Sequence, residues 1–107
     1  MNRTICLNAD IGELPGEAGR AMDRAILDVV SRCSIACGGH AGDEESMRAT
    51  LKAARARNVV IGAHPSYPDR QNFGRKTVAM SHEELEMSLR QQVRTLASLA
   101  RLQGVTL

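Results

Sequence analysis

Aromatic side chains are almost missing from this chain, whose 107 residues include one tyrosine, one phenylalanine and no tryptophan. Its core must therefore be aliphatic, assembled from Ile, Leu, Val, Met and Ala. The two aromatics, Tyr67 and Phe73, fall in one polar stretch, a placement that points to covering something. No apolar run approaches the roughly 20 residues of a membrane span, and Met1-Asn2-Arg3-Thr4 leads into a strand-length stretch with no extended apolar leader. A soluble, cytoplasmic protein with no membrane partner is expected. Charge of one sign is also lacking, with 14 basic against 12 acidic residues, so the basic field that nucleic-acid binding uses is absent and no nucleic-acid partner is expected. Cys6, Cys33 and Cys37 are odd in number and without paired C-x-x-C spacing. That argues against a disulfide framework or a zinc ribbon and for free thiols buried in strands. Neither G-x-x-x-x-G-K-[ST] nor a strand-linked G-x-G-x-x-G occurs, so any nucleotide use must rest on other geometry.

What is present is a repeated strand and helix pattern. A β-prone run predicts a first strand over 4–7, and a loop rich in glycine and proline follows over 13–19. From Arg20, the residues Met22, Ala25, Ile26, Val29 and Val30 recur at helical spacing, predicting a first helix that ends near Ser31. Cys33, Ile35 and Cys37 mark a second strand with small neighbours. Asp43 is placed as the N-cap of a second helix, with Glu44 and Glu45 in its first turn, Met47, Leu51 and Ala54 on its inner stripe and Asn58 at its exit. Val59-Val60-Ile61 reads as a third, buried strand ending at Gly62. The long loop over 63–80 is too extended for an idle connection and is expected to be functional. Ser81-His82-Glu83-Glu84 reads as a capping box, and Leu85, Leu89, Val93, Leu96 and Ala100 as the inner side of a third helix ending before Gly104. Val105-Thr106-Leu107 reads as the opening of a fourth strand. Successive strand–helix units imply parallel strands with right-handed crossovers. The expected fold is α/β: a single incomplete β/α-barrel domain over 1–107, with three βα units and the start of a fourth strand, since such barrels close only at about 200 residues or more.

Each predicted strand ends in a polar cluster: Asn8-Ala9-Asp10-Ile11-Gly12-Glu13, Gly38-Gly39-His40-Ala41-Gly42-Asp43, and Gly62-Ala63-His64-Pro65-Ser66-Tyr67-Pro68-Asp69. Parallel strands bring their C-terminal ends to one side, so three loops are expected to line one pocket. Asp10, His40 and His64 are of the types that bind a divalent metal. The same types also cap helices or satisfy buried backbone groups, and spacing alone does not separate the two roles. Glu13 beside Asp10 suits general acid/base work, with a solvated loop carboxylate as the plain alternative. Asp43 is first an N-cap, although the helix end it caps offers amides to an anion, which Gly38, Gly39 and Gly42 would let approach. Arg75 is either an anion clamp or a surface arginine. Pro65 and Pro68 stiffen the loop that carries Tyr67 and Asp69.

Those three clusters, extended by Phe73-Gly74-Arg75, resemble the LamB/YcsF family, described as the A subunit of the prokaryotic 5-oxoprolinase. The resemblance implies a barrel of the glycoside hydrolase/deacetylase β/α type. It also implies ATP-dependent hydrolysis of the lactam 5-oxo-L-proline to L-glutamate, with ATP as co-substrate and subunits B and C as partners. On that resemblance the catalytic positions are Asp10, Glu13, His40 and His64, and the substrate-binding positions Asn8, Gly39, Asp43, Tyr67, Asp69 and Arg75. Asp10, His40 and His64 would hold a divalent metal by analogy with the deacetylases. An ATP requirement fits the chemistry, because a five-membered lactam closes readily and its amide is a poor electrophile until the oxygen is phosphorylated. The resemblance covers nearly all of this chain and less than half of the family domain, so the chain alone is not expected to be active. Two other functions follow from the same residues: a metal-dependent deacetylase or amidohydrolase working without ATP, and an inactive half-barrel that associates with itself or with a complementary half.

Overall fold

A computed structural model describes residues 3–107; Met1 and Asn2, the first residues of the sequence read as leading into the first strand, lie outside the described residues. The order is β1 (Asn8–Ile11), α1 (Gly16–Leu27), β2 (Arg32–Ala36), α2 (Glu44–Ala56), β3 (Val60–His64) and α3 (His82–Leu102). The strands form one parallel sheet in the order β1-β2-β3, with Asn8 opposite Arg32 and Arg32 opposite Val60. Alternation along the strands gives the sheet two unlike faces. Ile11, Cys33, Ile35 and Ile61 form one core with Leu27 of α1, Met47, Leu51 and Ala54 of α2, and Leu96, Leu99 and Ala100 of α3. All three helices therefore cover the same face, as in a sheet wound in one direction. The opposite face carries Asn8, Asp10, Arg32, Ser34, Val60 and Gly62, exposed or half-buried.

The first strand lies four residues later than expected. Ala9 and Ile11 point into the core while Asn8 and Asp10 take the open face, so residues that read as a loop are the strand itself. Residues 4–7 are not part of a strand, although the Leu7 carbonyl accepts from the Arg32 N–H at the start of β2 at 3.0 Å, and Ile5 is exposed. Helix α1 begins at Gly16, directly after Pro15, which stands at the N-cap with extended backbone (φ −78°, ψ 161°), outside the helix it would otherwise break. Its inward row is Gly19, Asp23 and Leu27, and Met22 and Val29 face solvent. On α3 the inward row is Gln92, Leu96, Leu99 and Ala100, so Val93 faces out and a glutamine occupies the inner stripe. Cys33 and Cys37 are buried, but Cys6 is exposed in the extended N-terminal segment. Burial, reinforced by the charge of Asp23, pushes the Cys33 thiol up to about 11, which makes it a core residue and not a nucleophile. Val105 packs on the core, but residues 105–107 form no strand. Among the described residues no helix is long and apolar enough to cross a membrane.

Helix α2 is placed by its cap. Asp43 accepts a hydrogen bond from the Ser46 backbone N–H at 2.8 Å, and the Ser46 hydroxyl accepts from the Asp43 N–H at 2.8 Å. The Ser46 N–H holds the Asp43 carboxyl below its ordinary value of 3.8. Asp43→Ala is expected to lower stability by about 1 kcal/mol at pH 7. Because the folded-state value is the lower one, this advantage is present above the ordinary value and lost as pH falls through the folded one. Urea unfolding of both proteins at pH 7 and pH 3 checks this, and an undiminished gap at pH 3 would count against the cap. At the far end Asn58 adopts a left-handed backbone, φ 55°, and lets the chain turn into β3. Helix α3 is capped by Ser81, whose hydroxyl oxygen accepts from the Glu84 N–H and whose O–H donates to the Glu84 carboxylate. This is a side-chain pairing in place of the expected capping box, in which Glu84 would accept from the Ser81 backbone N–H.

Candidate active site

The turn after β1 carries Glu13, and α1 fixes that turn. Asp23, nearly fully buried, accepts from the Gly12 N–H at 3.2 Å, and Arg20 donates to the Leu14 carbonyl at 2.7 Å. Burial raises the Asp23 carboxyl above its ordinary value, against the opposing pull of the Gly12 N–H and Arg20. His40 follows β2 through Gly38-Gly39, and His64 is the last residue of β3. The long loop then folds back over both histidines. Asp69 N–H donates to the Gly39 carbonyl at 3.0 Å, and Arg70 donates to the carbonyls of Gly38 and Gly42.

These loops bring Glu13, His40 and His64 together, with one donor atom from each lying within 4.8 Å of the others. His40 Nε2 is 3.4 Å from Glu13 Oε2, and His64 Nδ1 is 3.7 Å from both Glu13 Oε1 and Asp10 Oδ1. The two imidazole rings are 4.6 Å apart, and the Phe73 ring meets His40 edge-on at 4.9 Å. Both nitrogens of His40 and Nδ1 of His64 are buried and have no hydrogen-bond partner among the described residues. Unsatisfied buried nitrogens are costly, so this arrangement is built to meet a further group. A carboxylate with two imidazoles suits a zinc-type divalent ion, and the residues fit one. The compact donor set contains Glu13 where the sequence reading placed Asp10; Asp10 sits at the rim with its side chain about half exposed.

Burial lowers the His40 pKa below its ordinary 6.5, and the neighbouring His64 adds to this against Glu13 and Asp10. His40 is thus neutral near pH 7, with a lone pair free. An unfolded chain binds a proton here more readily than the folded one, so stability is expected to fall as pH drops through 6.5 toward the lower folded value. The fall in urea midpoint between pH 7.5 and pH 5.5 should shrink in a His40→Gln variant. An equal fall in both proteins would remove His40 as the cause.

Two cavities meet at this cluster. One, of about 340 Å³, is lined by Asp10, Glu13, His40, His64, Ser66 and Arg75 among others. The second, of about 530 Å³, lies between the turn after β1 and the start of α2, and includes Arg20, Asp43 and Arg70. Glu13, His40 and Phe73 border both.

The remaining sequence candidates take varied positions. Asn8 opens β1 away from the strand's C-terminal end and accepts from the Ser34 hydroxyl at 3.3 Å. Gly39 is buried and gives its carbonyl to Asp69. Asp69 organises its own loop, accepting from the Asn72 N–H and side-chain amide. Tyr67 is half-exposed beside Gly74 and Lys76 in a separate shallow cavity. Arg75 lies 5.6 Å from the centre of the Phe73 ring, at the site's edge. Sequence reasoning missed Asp23, Arg70 and Gln92. A polar residue on an apolar helical stripe, seen at Asp23 with Gly19 and Leu27 and at Gln92 with Leu96 and Leu99, was the signal available.

Comparison with known proteins adds the lineage. The model of the LamB/YcsF family matches residues 5–107. Over 104 residues the chain is 45% identical to the 5-oxoprolinase A subunit of Methylococcus capsulatus, covering 97% of this chain and 40% of that protein. It is 47% identical to the protein of the same name from Chloroflexus aggregans, covering 97% and 41%. The crystal structure of a lactam utilization protein from Thermus thermophilus superimposes with a TM-score of 0.89 at 35% identity, over 98% of this chain and 42% of that one. The chain thus spans about two fifths of the length of these relatives.

Proposed function

Because the chain belongs to the LamB/YcsF family, we propose that it carries the lactam-opening residues of an ATP-dependent 5-oxoprolinase, acting with partner subunits on 5-oxo-L-proline. The observation that carries the reading is the convergence of Glu13, His40 and His64 with unpartnered imidazole nitrogens. Hydrolysis adds water to the lactam carbon, breaks the carbon–nitrogen bond and delivers a proton to the departing nitrogen. Glu13, held between two imidazoles on a turn pinned by Asp23, is the base that takes the proton of the attacking water. Neutral His40 accepts or donates at a fixed nitrogen, and the Phe73 ring against it excludes bulk water. Arg75 at the rim suits the carboxylate of 5-oxoproline. In a metal-bound alternative, Glu13, His40 and His64 would hold a divalent ion that would supply polarisation of the reacting oxygen in place of proton handling by Glu13 and His40. ATP supplies the activation of a poor amide electrophile.

The test is release of glutamate from 5-oxoproline by the assembled complex. Glutamate should appear only when this protein, its partner subunits and ATP are present together. Exhaustive chelation that left a competent complex fully active would end the role of the metal. A second reading, a metal-dependent amidohydrolase, is favoured by the same unpartnered imidazoles; it requires turnover without ATP and loss of that turnover on chelation.

A further inference from the structure

We infer that Gln92 is the positioning residue that sets the separation of the two imidazole-bearing segments, although it lines neither cavity at the site. Its bearing on catalysis rests on the function proposed above; its bearing on geometry does not. Gln92 is 8% exposed, one helical turn before Leu96, which is fully buried in the core. The middle of α3, anchored in the core, therefore delivers its side chain to a fixed point. There Oε1 accepts from the Ser66 N–H at 3.0 Å, and Nε2 donates to the Ser66 carbonyl at 2.7 Å and to the Ser88 hydroxyl at 3.1 Å. The side-chain amide thus pairs with one residue's backbone as a neighbouring strand would. Only one orientation of the amide works, since the reverse sets N–H against N–H and oxygen against oxygen.

The same amide is the floor for Gly39. A Cβ on Gly39 would collide with Gln92 Oε1 and fall 2.8 Å from the Ser66 carbonyl oxygen. Gly39 precedes His40 and Ser66 follows His64 by two residues, so one amide touches both segments on which the imidazoles stand. Leucine in its place would leave two partly buried backbone groups of Ser66 unpaired. Glutamate would keep the acceptor for the Ser66 N–H but set a charge against the Ser66 carbonyl.

The experiment compares the parent chain with Gln92→Leu, Gln92→Glu and, as a control, Leu99→Ala, at pH 8. The readouts are long-range proton–nitrogen spectra of the imidazoles, Zn2+ affinity by calorimetry and urea unfolding. In Gln92→Leu the His40 and His64 resonances should both move and Zn2+ affinity fall about 10-fold or more, as when a partner that orients metal ligands is lost. Leu99→Ala loosens the core away from the loops, so it should lower the urea midpoint without moving those resonances. Imidazole signals of folded Gln92→Leu that superimpose on the parent, or that Leu99→Ala moves as far, overturn the inference. If Gln92→Leu does not fold, Gln92→Glu is judged by the same spectra. A parent chain that binds no Zn2+ would defeat the metal role and leave the imidazole spectra to decide about Gln92.

Discussion

Glu13→Gln is expected to lower 5-oxoproline-dependent turnover of the assembled complex by about 10²- to 10⁴-fold, the usual worth of a positioned proton acceptor. The substitution keeps the side chain's shape and removes its charge and its basicity. The fold should survive, because the turn is held through the Gly12 N–H and the Leu14 carbonyl, both backbone groups. Binding of 5-oxoproline should change little, so the loss belongs in kcat more than in KM. Asp10→Asn is the informative partner. Asp10 is half-exposed at the rim, 3.7 Å from His64 and outside the compact donor set, so its replacement should cost markedly less. If Asp10→Asn proved the more damaging of the two, the proton acceptor would have to be reassigned to Asp10.

Gly39→Ala is expected to destabilise the protein by about 1–3 kcal/mol, the range for forcing extra volume into a filled space. The Gln92 oxygen could swing aside, but the Ser66 carbonyl is backbone and could retreat only by moving the loop that follows His64. The same substitution should therefore also disturb the donor set. Gly62→Ala serves as the matched control. Its new Cβ would meet nothing closer than the Cys33 carbonyl oxygen at 3.7 Å, an ordinary contact, and stability should hold within about 0.5 kcal/mol. Urea midpoints of the two variants decide the matter, and equal midpoints would mean that close approach at Gly39 is not what the site requires.

Elements whose local chemistry agrees with their burial were legible in the residues. Asp43 with Ser46 defines the start of α2 and Asn58 its exit, whereas the β-branched run at 59–61 marks only the opening of β3, which continues through Gly62 to His64 and carries an exposed Val60 where a buried strand was expected. β1 was displaced because its polar residues, Asn8 and Asp10, lie on the open sheet face, and a reading that expects buried strands takes polar residues for loop. The inward face of α1 was misplaced for a related reason: Gly19 and Asp23, neither of them apolar, belong to it. At the site the residue types were legible and the partition was not. Asp10 and Glu13 are near neighbours in the chain, yet one sits at the rim and the other between two imidazoles, a distinction set by the turn at Gly12, φ 75°, and by Asp23. Gln92 acts across a long stretch of sequence, which spacing rules for neighbouring residues do not reach.

The winding of the sheet bears on how this protein comes into being. Each strand pairs with the one made just before it, so structure can accumulate in the order of synthesis, although each parallel pairing must wait until the helix between its two strands has been made. The site obeys a different schedule. It takes Glu13 from the first unit, His40 from the second and His64 from the third, and is closed by a loop whose Ser66 waits for α3. A nascent chain can thus hold much of its secondary structure while possessing none of its chemistry. The candidate site can be complete only after all three units and α3 are in place, so its side chains stay separated until the scaffold that restrains them has formed.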